Sequence, residues 1–171
     1  MDQSFSPSST FEPAGFASAD TASHGVAIGE VREIDGGSAT CRFHLAALQA
    51  LKGDKDNTVA SSGQVGSQIK VRVGGLWLIG NVRNLKIDPA SDGAVLAAVD
   101  FLGEGEEDMD GVLSGFRRGV TRYPMPGSTI LTVSRADLGA VFQADERAHI
   151  EIGTVYPTED VRGALYIDAM L

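Results

Sequence analysis

Cysteine is almost missing. Cys41 is the one thiol in 171 residues, which excludes an internal disulfide framework and fits a reducing compartment. No apolar run approaches the roughly 18 residues that a membrane-spanning helix requires. No charged-then-apolar leader opens the chain either, so the expectation is a cytoplasmic protein with no membrane partner. Basic residues are outnumbered, 14 lysines and arginines against 23 acids. The formal charge is −9 and the pI near 4.7. Such a balance argues against a domain that grips a phosphate backbone or an anionic membrane over its whole surface.

The motifs that carry chemistry are missing too. There is no G-x-x-x-x-G-K-[ST] nucleotide loop, no H-E-x-x-H zinc helix, no C-x-x-C pair and no G-x-S-x-G nucleophile turn. His24, His44 and His149 lie on separate segments, and with Cys41 they form no local ligand pair, so neither a metal nor another cofactor is expected. The acidic stretch at 103–110 has no apolar neighbours to lift a carboxyl into the range of acid–base work. By its residues the chain is not an enzyme.

What is present suits one globular domain with a tail. Hydrophobic residues make up 43% and charged residues 22%, both ordinary values. Residues 1–24 are rich in serine and alanine with two prolines, too little aliphatic surface to offset ordering entropy, and read as a disordered tail with Phe5, Phe11 and Phe16 scattered along it. Residues 25–171 form the domain. Its 21 glycines in the whole chain are dispersed rather than clustered, as many short strands with tight turns require.

Strand patterns dominate that domain. Gly25 to Ile34 alternates with a change of phase at Gly29, which marks a bulge. Asp35-Gly36-Gly37 is hairpin-turn chemistry, and Ser38 to Leu45 places Ala39, Cys41, Phe43 and Leu45 on one face. A short helical turn at 45–51 and a polar loop at 52–64 follow. Gln68 to Val73 and Leu76 to Ile87 flank Gly74-Gly75, the second strand with Gly80 at its centre. Ala94 to Leu102 is β-branched, aromatic and nearly all apolar, which reads as a buried strand. Ser128 to Val133 is a strand, and 148–156 with 161–167 make a final pair. Arg135 to Gln143 is the one good helix: Ser134 can cap it, Asp137 sits in its first turn, and Leu138, Val141 and Phe142 share a face. About eight evenly spaced strands, one short helix and no βαβ alternation predict an all-β fold, a small closed or nearly closed antiparallel β-barrel. Glycines inside strands sit where such a barrel must bend to close.

Two stretches stand out from this frame. Gly103 to Asp110 (GEGEEDMD) carries five acids, Glu106, Glu107 and Asp108 among them, and reads as a solvated hairpin tip; its spacing is not that of an EF-hand. Phe116 to Ile130 (FRRGVTRYPMPGSTI) holds Gly119, Gly127, Pro124 and Pro126 around Phe116 and Tyr123. The prolines fix φ and push the preceding residues toward extended geometry, while the glycines admit angles a Cβ forbids. The segment therefore predicts a rigid, extended connection across the body of the domain. In a strand Arg118 and Arg122 would point one way and Arg117 the other. On an acidic domain, internal or subunit ion pairing is the expected use of these arginines.

Assembled, these segments resemble the N-terminal barrel of HerA-type DNA-translocating ATPases, the HAS barrel. The resemblance is carried by GVAIGEV at 25–31, VGSQIKVRVGGLWLIGNV at 65–82, VDFLGE at 99–104, FRRGVTRYPMPGST at 116–129 and GALYIDAML at 163–171. The R-G-V-x-x-Y-P-x-x-G order is its most specific part, and Gly29, Gly80, Gly103, Phe116, Arg118, Gly119, Tyr123, Pro124 and Gly127 are the matching positions. The resemblance implies a barrel whose motor domain is absent from these residues. It also implies a hexameric ring, a NurA-type nuclease or other effector docked on the barrel side, and duplex DNA, ATP and Mg2+ met only by the motor. No ATP-binding residue carries over. Glu106, Glu107 and Asp108 on one side and the arginines on the other are candidates for opposite halves of a subunit contact. A nucleic-acid-binding barrel and a small-ligand barrel are the alternatives.

Overall fold

A computed structural model describes residues 25–109, 111–142, 144, 146–158 and 160–167. The expected tail with its three phenylalanines and His24, the end of the helix at Gln143, and Asp110 lie outside the described residues.

The described residues form nine strands: β1 (Ala27–Asp35), β2 (Ser38–His44), β3 (Gln68–Val73), β4 (Leu76–Ile87), β5 (Ala94–Glu107), β6 (Leu113–Arg118), β7 (Thr129–Thr132), β8 (His149–Thr154) and β9 (Arg162–Tyr166). Six of them close an antiparallel barrel in the order β1-β7-β3-β4-β5-β2, with β2 returning to β1. β5 is long enough to serve two partners on one edge. It pairs β2 from Ala94 to Asp100 and β6 beyond Gly103, so β6 extends the wall outside the closed ring. The last two strands form a separate hairpin.

Closure depends on the glycines. The register slips between Ala27 and Gly29 where β1 meets β7, and between Ile79 and Gly80 where β4 meets β5. Each slip adds local twist and bends the strand, as closing so small a barrel demands. At Gly29 the wall is so tight that an added Cβ would lie 2.1 Å from the Arg42 carbonyl oxygen of β2.

The barrel interior is filled by aliphatic side chains with Phe43 and Cys41 among them, including Ile28, Val31, Ile69, Val71, Val82, Val99 and Ile130. One end is plugged by two short helices, α1 (Leu45–Leu51) and α2 (Asn57–Ala60), which bring Leu48, Leu51 and Val59 to that core. Here the expectations need correction. Leu45 does not continue the buried face of β2; it opens α1 and is half-buried. The supposed polar loop at 52–64 contains α2, because Asp56 caps it by accepting a hydrogen bond from the Thr58 N–H at 2.8 Å. The described chain therefore carries three short helices rather than one.

The third, α3 (Arg135–Phe142), lies on the outer wall. Ser134 and Asp137 cap it reciprocally: the Asp137 N–H donates to Ser134 Oγ at 3.1 Å, and the Ser134 N–H to Asp137 Oδ2 at 2.9 Å. Under α3, Trp77, Ile79 and Leu113 form a second apolar cluster with Ala140 and Val141. Val133, Leu138 and Val161 form a third that seats the β8–β9 hairpin against the helix. None of the helices among the described residues is long and apolar enough to cross a membrane.

Candidate functional site

The segment from β6 to β7 is the site the sequence singles out. β6 lies beside β5, whereas β7 sits between β1 and β3, three places round the ring from β5. Residues 119–128 must therefore cross the barrel, and they do so at the end that carries the β1–β2 and β3–β4 turns. Gly119, at φ +89°, forms a parallel bridge with Gly103, and its N–H donates to the Leu102 carbonyl at 3.1 Å. The Tyr123 ring meets that of Phe101 at 6.3 Å between centroids, and Pro124 is buried. At the far side the Gly127 N–H donates to the Val31 carbonyl at 2.7 Å, and Ser128 accepts from the Val31 N–H at 2.9 Å. The extended crossing expected from the prolines and glycines is thus present.

One carboxylate holds it in place. Glu104 is fully buried. Its oxygens accept from the Thr121 N–H at 2.9 Å, the Thr121 hydroxyl at 2.8 Å and Arg117 Nη2 at 2.6 Å. The Thr121 N–H is the largest influence holding the Glu104 pKa down to about 2, ahead of the opposing effect of burial and the further pull of Arg117 and the Thr121 hydroxyl. This overturns the reading of 103–110 as a solvated tip. β5 runs on to Glu107, with Gly103, Glu104 and Gly105 buried, and only the turn from Asp108 projects. The sequence hid this because the partners of Glu104 arrive from 13 and 17 residues downstream.

A folded-state pKa below the ordinary 4.5 means that the ionised Glu104 favours folding. That contribution is complete above about 4.5 and is lost as the pH falls toward about 2. Glu104→Gln is expected to flatten the acid limb of the stability curve in that window, read by urea unfolding at a series of pH values. An acid limb parallel to that of the unmodified protein would refute the role.

The arginine cluster is accordingly split. Arg117 is committed to Glu104. Arg122 turns toward the Gly74 carbonyl at 3.5 Å, and Arg118 is exposed beside α3 and the hairpin. In the acidic group, Glu107 pairs with Arg72 at 3.3 Å, while Glu106 and Asp108 stay exposed. Of the residues the sequence set on opposite halves of a subunit contact, Arg117 and Glu107 are thus engaged within the chain, by Glu104 and Arg72.

Sequence reasoning missed a second buried charge pair. Lys70 Nζ donates to Asp137 Oδ2 at 2.7 Å, with both side chains almost wholly buried. The Leu113 N–H donates to Asp137 Oδ1 at 3.0 Å, and the ammonium lies 4.9 Å from the Trp77 ring centre. Burial pushes the Asp137 carboxyl up, but Lys70 and the Ser134 and Leu113 N–H groups outweigh it and hold the pKa below the ordinary range. The pair fixes α3 to β3 and to β6. Cys41 points into the barrel, where burial pushes its thiol up to about 12. His44 and His149 are exposed on different strands, so none of the three is brought together.

Fold and site together define a class: a small closed antiparallel β-barrel, filled rather than hollow, braced by a crossing segment and a helix on its outer wall. Compared with known proteins, the chain matches no family model and no curated sequence.

Proposed function

We propose that this chain is the assembly and docking barrel of a hexameric DNA-translocating ATPase of the HerA type, with no turnover of its own. The observation that carries the reading is the fate of the segment with the R-G-V-x-x-Y-P-x-x-G order. Its glycines, Pro124 and Thr121 brace the barrel end, while Tyr123 and Met125 remain 46% and 73% exposed. A brace that also presents apolar side chains suits a module that contacts other protein. In this reading the partners are further copies in a ring and a NurA-type nuclease or other effector. ATP, Mg2+ and duplex DNA are handled by a motor domain whose residues are not among these 171.

The small-ligand alternative asks for an open interior, whereas Ile28, Phe43, Ile69 and Val99 fill this one. The nucleic-acid alternative has the net charge of −9 against it. The test is the reading frame beyond Leu171. It is expected to encode a glycine-rich loop ending in Gly-Lys-Ser/Thr, and the longer product to hydrolyse ATP as a hexamer. A frame without such a loop sinks the proposal, and tight binding of duplex DNA by the 171-residue chain with a steep salt dependence would favour a nucleic-acid barrel instead.

A further inference from the structure

The β8–β9 hairpin is fastened to the molecule at its turn end, where Val155 and Val161 join Val133 and Leu138. Beyond that point all six residues of β8 are exposed. A two-stranded sheet is marginal in water unless one of its faces is packed. Its residues are nevertheless sorted by side. Ile150 stands directly opposite Leu165, and Ile167, whose N–H donates to the Ala148 carbonyl at 3.0 Å, continues that side. The other side takes His149, Glu151 and Arg162, the last two paired at 4.0 Å. Ile152 is the extra residue of the bulge between Glu151 and Gly153. A Cβ built on Gly163, which shares the side of Leu165, would lie 3.9 Å from Ile152 Cγ1, so Ile152 belongs to the apolar side as well.

Ile150, Ile152, Leu165 and Ile167 are 53%, 67%, 39% and 40% exposed. Together they present a patch on the order of 350 Å², within the range of the largest apolar patch on a typical monomer. No charged residue of β8 or β9 shares this side. Both facts bear on the occupant. Contact across a two-fold axis sets a surface against the same surface of its mate, so a charged patch would meet its own sign. In a chain with 23 acids against 14 bases, the uncharged side of the hairpin is a surface that can meet itself without that cost. Two such patches, at the roughly 65% apolar share of a homodimer contact, correspond to about 1,000 Å² in total, the size at which a contact becomes specific.

We infer that the apolar sides of two hairpins pack face to face across a two-fold axis and join this chain to a second copy. Each hairpin then gains the second layer that a lone pair of strands lacks, with the two sheets about 10 Å apart. Such an isologous contact closes at two copies. It is therefore distinct from the head-to-tail contact that a ring requires, and goes beyond the reading above.

The test uses the 171-residue chain, followed by analytical ultracentrifugation over a concentration series. A concentration-dependent species of twice 17.9 kDa is expected. Ile150→Lys sets two ammonium groups into the contact and is expected to weaken association at least about tenfold. The monomer should keep its thermal midpoint, because Ile150 already faces water there. A second readout does not depend on that variant. On mild oxidation Ile150→Cys is expected to cross-link to its own counterpart at least about tenfold faster than Ile87→Cys, an exposed position on β4. Cys41 is buried and out of reach. A chain that sediments as a monomer throughout would assign the patch to another occupant, residues 1–24 or a different protein, and overturn the contact. An oligomer that Ile150→Lys leaves unweakened, or equal cross-linking rates at the two positions, would overturn it too. None of these results touches the ring reading, which is decided by the frame beyond Leu171.

Discussion

Replacing Asp137 with alanine is expected to lower the unfolding free energy by about 3–5 kcal/mol, the range for breaking a buried ion pair from one side. The loss is large because the ammonium of Lys70 stays behind, 2% exposed, with its carboxylate gone. The Leu113 N–H loses its acceptor as well, and the helix loses half of its capping box. Against the roughly 5–15 kcal/mol that holds a typical domain together, such a change leaves little margin. Urea unfolding followed by tryptophan fluorescence is the direct measurement, since Trp77 sits in the same cluster. Lys70→Met combined with Asp137→Asn is expected to recover most of the loss: no net charge is then stranded, and the asparagine oxygen can still accept from Leu113. A loss below about 1 kcal/mol for Asp137→Ala, the level of an exposed pair, would show that the pair does not fasten α3 to the barrel.

Gly29→Ala should cost about 1–3 kcal/mol or more, the penalty for forcing atoms into a packed interior. The new methyl would fall 2.1 Å from the Arg42 carbonyl oxygen and 3.0 Å from the Phe43 Cα. Both are backbone atoms of β2, so no rotamer change relieves the clash, and β1 and β2 must separate. The contact at Gly80 is different in kind, because the nearest atom there is the Val99 Cγ1 methyl at 2.5 Å, which a side-chain movement can displace. Gly37→Ala is the control: nothing lies within 4 Å of its added Cβ, and its stability should hardly change. Thermal unfolding of the three proteins separates the cases. Equal midpoints for Gly29→Ala and Gly37→Ala would mean that the barrel seam is looser than its geometry states.

Much of this fold can be read locally. In Gln68–Val73, Ile69 and Val71 alternate with Lys70 and Arg72, and that period of two places the aliphatic set in the barrel. Gly29 and Gly80 mark the register slips, and the spacing of Ser134 and Asp137 marks the start of α3. The proline–glycine pattern of 116–130 foretells an extended crossing. The helical turn after Asp56 was also open to reading, since an aspartate two residues before a threonine N–H is a capping signal that the surrounding polar residues disguised.

The chain's own order of residues thus determined most of the strands, their inward faces, the bends that close the barrel and the extended crossing, but not β6 or the part of β5 beyond Leu102. Only the tertiary structure decided the fate of the outward-facing residues. By alternation Lys70 belongs on the wet side of the wall, yet α3 covers it with Asp137 from 67 positions away. Glu104 looks like part of a solvated acidic run until β6 brings Arg117 and the crossing brings Thr121 to it. Period and turn chemistry act between neighbours along the chain, so they specify which face of a strand is apolar. What comes to lie on the other face is set by packing between distant segments, and that is why two buried carboxylates hold together a molecule whose sequence shows only surface charge at those places.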